Sequence, residues 1–279
     1  MTSWTKLAIV SGDGRLPFYI ARSCKDSGRP FHVIRLTNDA NKGLLQYNGD
    51  QCSVGEVGKF FKILERENCD TVVFAGILRR PDFSALNTDL RGLSLLPKIT
   101  AAAVKGDGHI LNTIIKIVEA EGFQIIGAEE AINEFVVKPG AYGKVLPNKT
   151  NLKDIKKASE LIAALDPYDV GQGAVVANGL VVAIEAAEGT DAMLERCATF
   201  PRSITKDGIL VKRSKPSQDL RIDLPTIGAQ TVCLAAKAGL AGVAVEESKA
   251  LFLDQSEAIA IADQAGVFVY GCFLSEFDA

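Results

Sequence analysis

Short apolar runs alternate with amphipathic stretches through the first half of the chain, and this alternation limits the fold more than any other feature. Lys6–Val10, Phe31–Leu36, Thr71–Ala75 and Phe123–Ile126 read as strands. Leu16–Lys25, Val57–Glu67 and Ile110–Glu121 read as helices, the last with apolar residues at 110, 111, 114, 115 and 118, one face of a 3.6-residue period. Strands separated by helical segments cannot pair as hairpins, so they predict a parallel, doubly wound sheet.

The rhythm changes after residue 133. The stretch KPGAYGKVLPNKT has little periodicity and is rich in Pro, Gly and Lys. We therefore expect an α/β protein with a Rossmann-like parallel-sheet domain over 1–133, a linker over 134–150 and a mixed α+β domain over 151–279. In the second domain Leu152–Leu165, Thr190–Phe200, Thr226–Leu240 and Gln255–Ala265 read as helices. Thr190 reads as an N-cap, and Pro225 suits the first turn of its helix. Ile209–Lys212, Val243–Val245 and Val267–Gly271 read as strands. Gly173–Ala177 and Leu180–Glu185 form a hairpin around Asn178-Gly179. Charge supports two domains: residues 1–150 carry 19 Lys/Arg against 16 Asp/Glu, and residues 151–279 carry 12 against 18.

Composition excludes several classes. A net charge of −3 leaves no basic excess for nucleic-acid binding. Six cysteines without CxxC spacing read as free thiols in a reducing compartment. His32 and His109 alone make a histidine-based metal site or a Ser-His-Asp triad hard to build. The opening MTSWTKLAIVSGDG lacks an apolar signal region, and no apolar run spans a bilayer. The expectation is a cytoplasmic protein, at most peripheral to a membrane.

Three loops in the first half follow strands or open helices, where a parallel sheet places its ligand crevice. SGDGRLP (11–17) offers Gly12, Asp13, Gly14 and Leu16, a glycine turn whose amides and following helix suit an anion. The loop could equally be a plain connection. Gly76 with Arg79 and Arg80 could clamp a diphosphate or form a solvated loop. Asp107 could contact ligand or cap the helix after it.

The densest chemistry lies in VKRSKPSQDLRIDLPTIG (211–228), where Lys212, Arg213, Lys215 and Arg221 surround Asp219 and Asp223. Phosphoryl transfer needs this mixture, cations for the phosphate oxygens and carboxylates for a hard cation or the attacking water. Thr226 and the free N–H groups of the helix turn that Pro225 would open could receive a phosphate. Gln172, and the acidic run holding Glu188, Thr190 and Asp191, could join the same site.

The segments YDVGQGAVV (168–176), EGTDAML (188–194), GILVKRSKPSQDLRIDLPTIG (208–228) and AGLAGVAVE (238–246) closely resemble signatures of the UDP-2,3-diacylglucosamine diphosphatases of the LpxI type. SGDGRLP, AGILRRPDF and KGDG are similar to N-terminal segments of that family, so the resemblance covers essentially the whole chain. It implies a Mg²⁺-dependent lipid A enzyme of a Gram-negative bacterium, working in the cytoplasm at the inner-membrane surface. UDP-2,3-diacylglucosamine would be cleaved to UMP and 2,3-diacylglucosamine 1-phosphate (lipid X), with water attacking the sugar-side phosphorus. Carried over by position, Asp223 is the essential carboxylate, with Asp219, Arg221, Lys212 and Lys215 in the same motif. Asp223 and Asp191 are the metal candidates, and Asp223 could instead be the general base. Gly108, His109 and Glu129 depart from the family's pattern. A homodimer, a non-catalytic carrier of nucleotide-linked lipid and a nicotinamide-dependent oxidoreductase stay open as alternatives. Against the last, the glycine turn is not GxGxxG and no acidic residue closes the second strand.

Overall fold

The computed structural model describes residues 4–36, 42–78, 81–83, 86–104 and 106–274, with only the backbone of Asp107. It divides into two units, Met1–Asn133 with Asp219–Asp223, and Glu134–Gln218 with Leu224–Ala279.

Unit 1 is built from β1 (Leu7–Ser11), α1 (Leu16–Asp26), β2 (Phe31–Arg35), β3 (Gly49–Gln51), α2 (Val57–Arg66) and β4 (Thr71–Ala75). After these come α3 (Leu90–Ala103), α4 (Asp107–Ala120), β5 (Gln124–Ile126) and α5 (Ala128–Ala131). The sheet is parallel throughout, in the order β3-β2-β1-β4-β5. Strand β1 is buried along its whole length, which is why it reads as an unbroken apolar run. The core joins Ala8, Val10, Ile34 and Val72 of the sheet to Phe61 and Leu64 of α2 and to Ile115 and Val118 of α4. The chain winds outward on either side of β1, so the C-terminal ends of β1 and β4 form the topological switch point.

The short segment 219–223 is fastened to unit 1 through Ile222 and Arg221. Ile222 packs against the core cluster just named. The Arg221 Nη1 donates to Glu119 Oε1 of α4 at 2.7 Å.

Unit 2 contains β6 (Gly140–Ala141), α6 (Lys149–Ala164), β7 (Gly173–Ala177), β8 (Leu180–Ile184), α7 (Gly189–Ala198), α8 (Arg202–Thr205) and β9 (Ile209–Lys212). It continues with β10 (Thr226–Ile227), α9 (Ala229–Lys237), β11 (Gly242–Glu246), β12 (Leu251–Phe252), α10 (Gln255–Ala265) and β13 (Phe268–Cys272). Its main sheet is mixed, in the order β6-β13-β11-β9-β7-β8, with β9, β11 and β13 parallel and the flanking strands antiparallel. The hairpin turn has positive φ at both Asn178 and Gly179, the geometry that favours this pair. The Asp154 carboxylate of α6 accepts from both turn amides, at 2.7 and 2.8 Å.

Three local expectations need correction. The helix expected over Thr226–Leu240 starts at Ala229, because Thr226–Ile227 pairs with Leu251–Phe252 as strand β10. Pro225 therefore lies outside the first turn, and its carbonyl accepts from Leu251 N at 2.9 Å. The helix-start phosphate site expected at Pro225 and Thr226 is absent. Thr190 is inside α7, not its cap, and its hydroxyl donates to Glu185 Oε1 at 2.9 Å. Asp107 is the first residue of α4, preceded by Gly106 at φ 124.

Candidate active site

The loops after β1 and β4 are zipped together at the switch point. Gly12 N donates to Ala75 O, Asp13 N to Ile77 O and Ile77 N to Asp13 O, all within 2.8–2.9 Å. A Cβ on Gly12 would sit 2.5 Å from Ile77 O, and one on Gly76 2.3 Å from Asp13 O. These glycines are needed first for backbone meeting backbone. Gly14 has φ +94 but open space around it. Gly14→Ala should therefore cost only ~1–2 kcal/mol of left-handed strain. Gly76→Ala, at φ +88 and facing a carbonyl, should cost more than ~3 kcal/mol. Urea midpoints of the two variants check the difference. Leu16 opens α1 and is half-buried. Arg79, Arg80 and the Asp107 side chain lie outside the described residues.

Beside this zipper, unit 1 carries a half-open apolar cavity of about 410 Å³. Sheet residues Val10 and Phe74, α2 residues Phe60 and Phe61, and apolar faces of α3 and α4 wall it, together with Gly76, Ile77, Ile222 and Asp223. The structure thus brings Gly76 and Asp223 to one cavity. Among the described lining residues the acidic ones are Glu56 and Asp223. Glu56 accepts from Ser53 N at 2.8 Å and pairs with Lys59 at 3.2 Å. Asp223 is half-buried.

Asp219 and Arg221 form a fork. Arg221 Nε and Nη2 donate to the two Asp219 oxygens at 3.0 and 2.8 Å, while Nη1 reaches Glu119. The guanidinium holds the Asp219 carboxyl below the usual carboxylate range. The two carboxylates in turn raise the pKa of Arg221. Arg221 is therefore committed to two carboxylates, and its visible work is to hold the segment carrying Asp223 against α4.

In unit 2, Lys212 is 4 % exposed. Its Nζ lies 2.9 Å from Glu185 Oε2 and donates to Thr190 Oγ1 at 2.7 Å. Lys215 pairs closely with Asp169, and Lys215 N donates to Gln218 Oε1. Arg213, 1 % exposed, donates to Ser159 Oγ at 2.8 Å and is part of the core. The Gln172 carbonyl accepts from Arg213 N at 3.0 Å. Glu188 is exposed and pairs with Arg196 at 2.9 Å, and that guanidinium helps the backbone amide at 188 hold its carboxyl low. Asp191 is exposed in the first turn of α7. Thr226 Oγ1 donates to Leu224 O at 3.1 Å. The sequence did not single out Glu185 as the partner of Lys212, and its apolar runs read equally as ordinary core or as the lining of a cleft.

A magnesium ion takes oxygen ligands and commonly accepts one or two carboxylates plus substrate phosphates. Asp223 on the cavity wall suits that arrangement as a single carboxylate donor, and Asp191 offers one in unit 2. Among the described residues, the group of three ligand-bearing side chains close enough for a metal is instead His32, Asp50 and Glu67. His32 Nε2 is 2.7 Å from Asp50 and Nδ1 is 3.4 Å from Glu67. Those carboxylates also pair with Arg66 and Lys6, so the group is a neutralised structural cluster. It lies towards the start of β2, away from the switch-point loops. All six cysteines are free.

Residues 6–135 match the LpxI N-terminal domain and residues 138–270 the LpxI C-terminal domain. The chain is also 46% identical over 271 residues to the UDP-2,3-diacylglucosamine pyrophosphatase LpxI of Caulobacter vibrioides, covering 95% of this chain and 97% of that protein. Both domain models match in order and the relative aligns almost end to end, so the chain belongs to the LpxI family.

Proposed function

We propose that this protein hydrolyses the diphosphate of UDP-2,3-diacylglucosamine, releasing UMP and lipid X in lipid A biosynthesis. The observation that carries this reading is the unit 1 cavity, an apolar volume with Asp223 on its wall. A lipid-linked diphosphate needs apolar cover for its acyl chain beside a carboxylate for its reacting phosphorus. The relative's name supports the substrate class.

In this reading one water attacks the sugar-side phosphorus and its proton passes to a carboxylate oxygen of Asp223. The bond from that phosphorus to the bridging oxygen breaks, and the bridging oxygen leaves with UMP. Were Asp223 instead the metal ligand, it would hold Mg²⁺, which would supply neutralisation of the charge on the diphosphate oxygens. Arg221 and Asp219 hold Asp223 in place. Lys212 and Lys215 share the 211–228 motif with Asp223, and Gln172, Glu188, Thr190 and Asp191 belong to the other family motifs; all six are carried as candidate substrate or metal residues. The loops with Gly12, Asp13, Gly14 and Gly76, and Arg79 and Arg80, are assigned to the UMP portion. Among the described residues no helix is long and apolar enough to cross a membrane, and the proposal places the enzyme peripherally at the inner-membrane surface.

Incubation with UDP-2,3-diacylglucosamine in ¹⁸O-labelled water tests this. UMP release that stops with EDTA, and label in lipid X, are the expected results. Label in UMP would reverse the point of attack, and binding without UMP release would make the protein a carrier.

A further inference from the structure

Helix α3 is apolar on two sides. Its inner side turns Leu95, Leu96 and Ile99 to the unit 1 cavity. On its outer side Leu90 is 88 % exposed and Leu93 58 %. Val104, just past the helix end but still at helical backbone angles, is 88 % exposed. Pro97 and Ala101, also exposed, lie between them. Ser94 shares this side, but its hydroxyl donates back to Arg91 O at 2.7 Å. At 3.6 residues per turn these positions form one stripe roughly 100° wide and ~21 Å long. A surface helix normally turns polar residues outward, and one that is apolar all round is normally covered.

Charge says what covers it. Residues 90–118 carry four Lys/Arg (Arg91, Lys98, Lys105, Lys116) against one acid, Asp107, a net of +3 in a chain whose net charge is −3. Helix α3 itself has no carboxylate. The carboxylates at the borders are engaged: Asp89 accepts from Gly92 N at 2.8 Å and Lys59 N at 3.0 Å, Glu119 pairs with Arg221, and Glu121 pairs with Arg91. Lys98 borders the stripe and is exposed. An apolar stripe edged by cations complements an anionic lipid surface. It does not complement a second copy of this chain, because a closed two-fold pairing sets a patch against itself and would bring these cations together.

We propose that the outer face of α3 docks unit 1 on an anionic bilayer. Fourteen residues are too few to span one, so the helix lies in the interfacial plane. Leu90, Leu93 and Val104 enter the acyl boundary, and the Lys98 stem lies along it with the ammonium at the headgroup phosphates. The inference deepens the peripheral location proposed above and rests on that reading for the membrane's identity; its test needs no substrate.

The full chain is co-sedimented with vesicles of phosphatidylglycerol and phosphatidylethanolamine, and with vesicles of phosphatidylcholine alone. Binding to the anionic vesicles, weakened by salt, is the expected result. Leu90→Ser with Leu93→Ser should lower that partition at least about tenfold. Lys98→Glu should lower it about ten- to thirtyfold on anionic vesicles and leave the phosphatidylcholine result unchanged. Leu146→Ser, at a leucine of unit 2 that is 68 % exposed, should change nothing. No binding by the wild-type chain, full binding by the double variant, or an equal loss in Leu146→Ser would overturn the surface. So would a dimer, seen by sedimentation velocity without lipid, that the double variant disperses, since a second copy would then own the stripe. The wild-type vesicle series decides the matter should a variant not fold. Vesicle binding without UMP release would leave the surface standing and remove the hydrolase reading, while UMP release without vesicle binding would do the reverse.

Discussion

Asp223→Ala should lower the rate of UMP release by about 10²–10⁴-fold, the range for removing a positioned acid–base group, while the variant folds and still binds substrate. Asp223 stands on a cavity wall and is half-buried, so its removal leaves no packed void and should move the melting temperature by only a few degrees. Binding measured without Mg²⁺ should hold or tighten, because a negative charge beside a diphosphate is lost. Asp223→Asn separates shape from charge. It keeps the volume and one carbonyl oxygen but can neither take the water's proton nor serve as an anionic ligand, so it should be as slow as the alanine variant. Little covalent chemistry is asked of the protein in phosphoryl transfer, so alignment and charge must supply most of the acceleration. A rate in either variant above a tenth of wild type would remove Asp223 from the reaction.

The parallel sheet of unit 1 was legible because β1 and β4 are covered on both faces and so read as apolar runs. Helix α3 was not. Pro97 and Gly92 lie inside it, and its apolar residues divide between the cavity and exposed positions such as Leu90 and Leu93. That division erases the single stripe by which an amphipathic helix is recognised. The cavity vanished from the sequence with it. Asp223 stood out by its charged surroundings and by the family resemblance, yet nothing local showed that five residues around it join the first unit. That placement depends on Ile222 finding the unit 1 core and Arg221 finding Glu119, 102 positions away in sequence. The thwarted helix start at Pro225 has the same origin, since Thr226 and Ile227 are claimed by a strand partner 25 residues downstream.

The Lys212–Glu185 pair was hidden for a similar reason, and its removal should give the largest stability change. Gly173 lies between them in the sheet, registered with Lys212 on one side and accepting from Glu185 N at 2.9 Å on the other. A Cβ there would sit 2.4 Å from Glu185 Oε2 and 3.2 Å from the Lys212 stem. The absent side chain lets the two long ones meet over the strand. Glu185→Ala would leave the buried Lys212 ammonium without its ion-pair partner, with the Thr190 hydroxyl as hydrogen-bond acceptor and the Asp191 carboxylate near it. Breaking one side of a buried pair costs ~3–5 kcal/mol, which for a unit of this size corresponds to a melting shift of roughly 10–15 °C. The double variant Glu185→Leu with Lys212→Met removes both charges and should recover most of that loss. Stability and function then separate: the double variant should fold like wild type yet release UMP more slowly if the Lys212 charge serves the diphosphate, and at the wild-type rate if the pair only holds β7, β8 and β9 together. Calorimetric melts of the three proteins provide the check. A Glu185→Ala protein that melts within about 1 kcal/mol of wild type, well below the cost of a broken buried pair, would show that water reaches this lysine and that the pair is not dry.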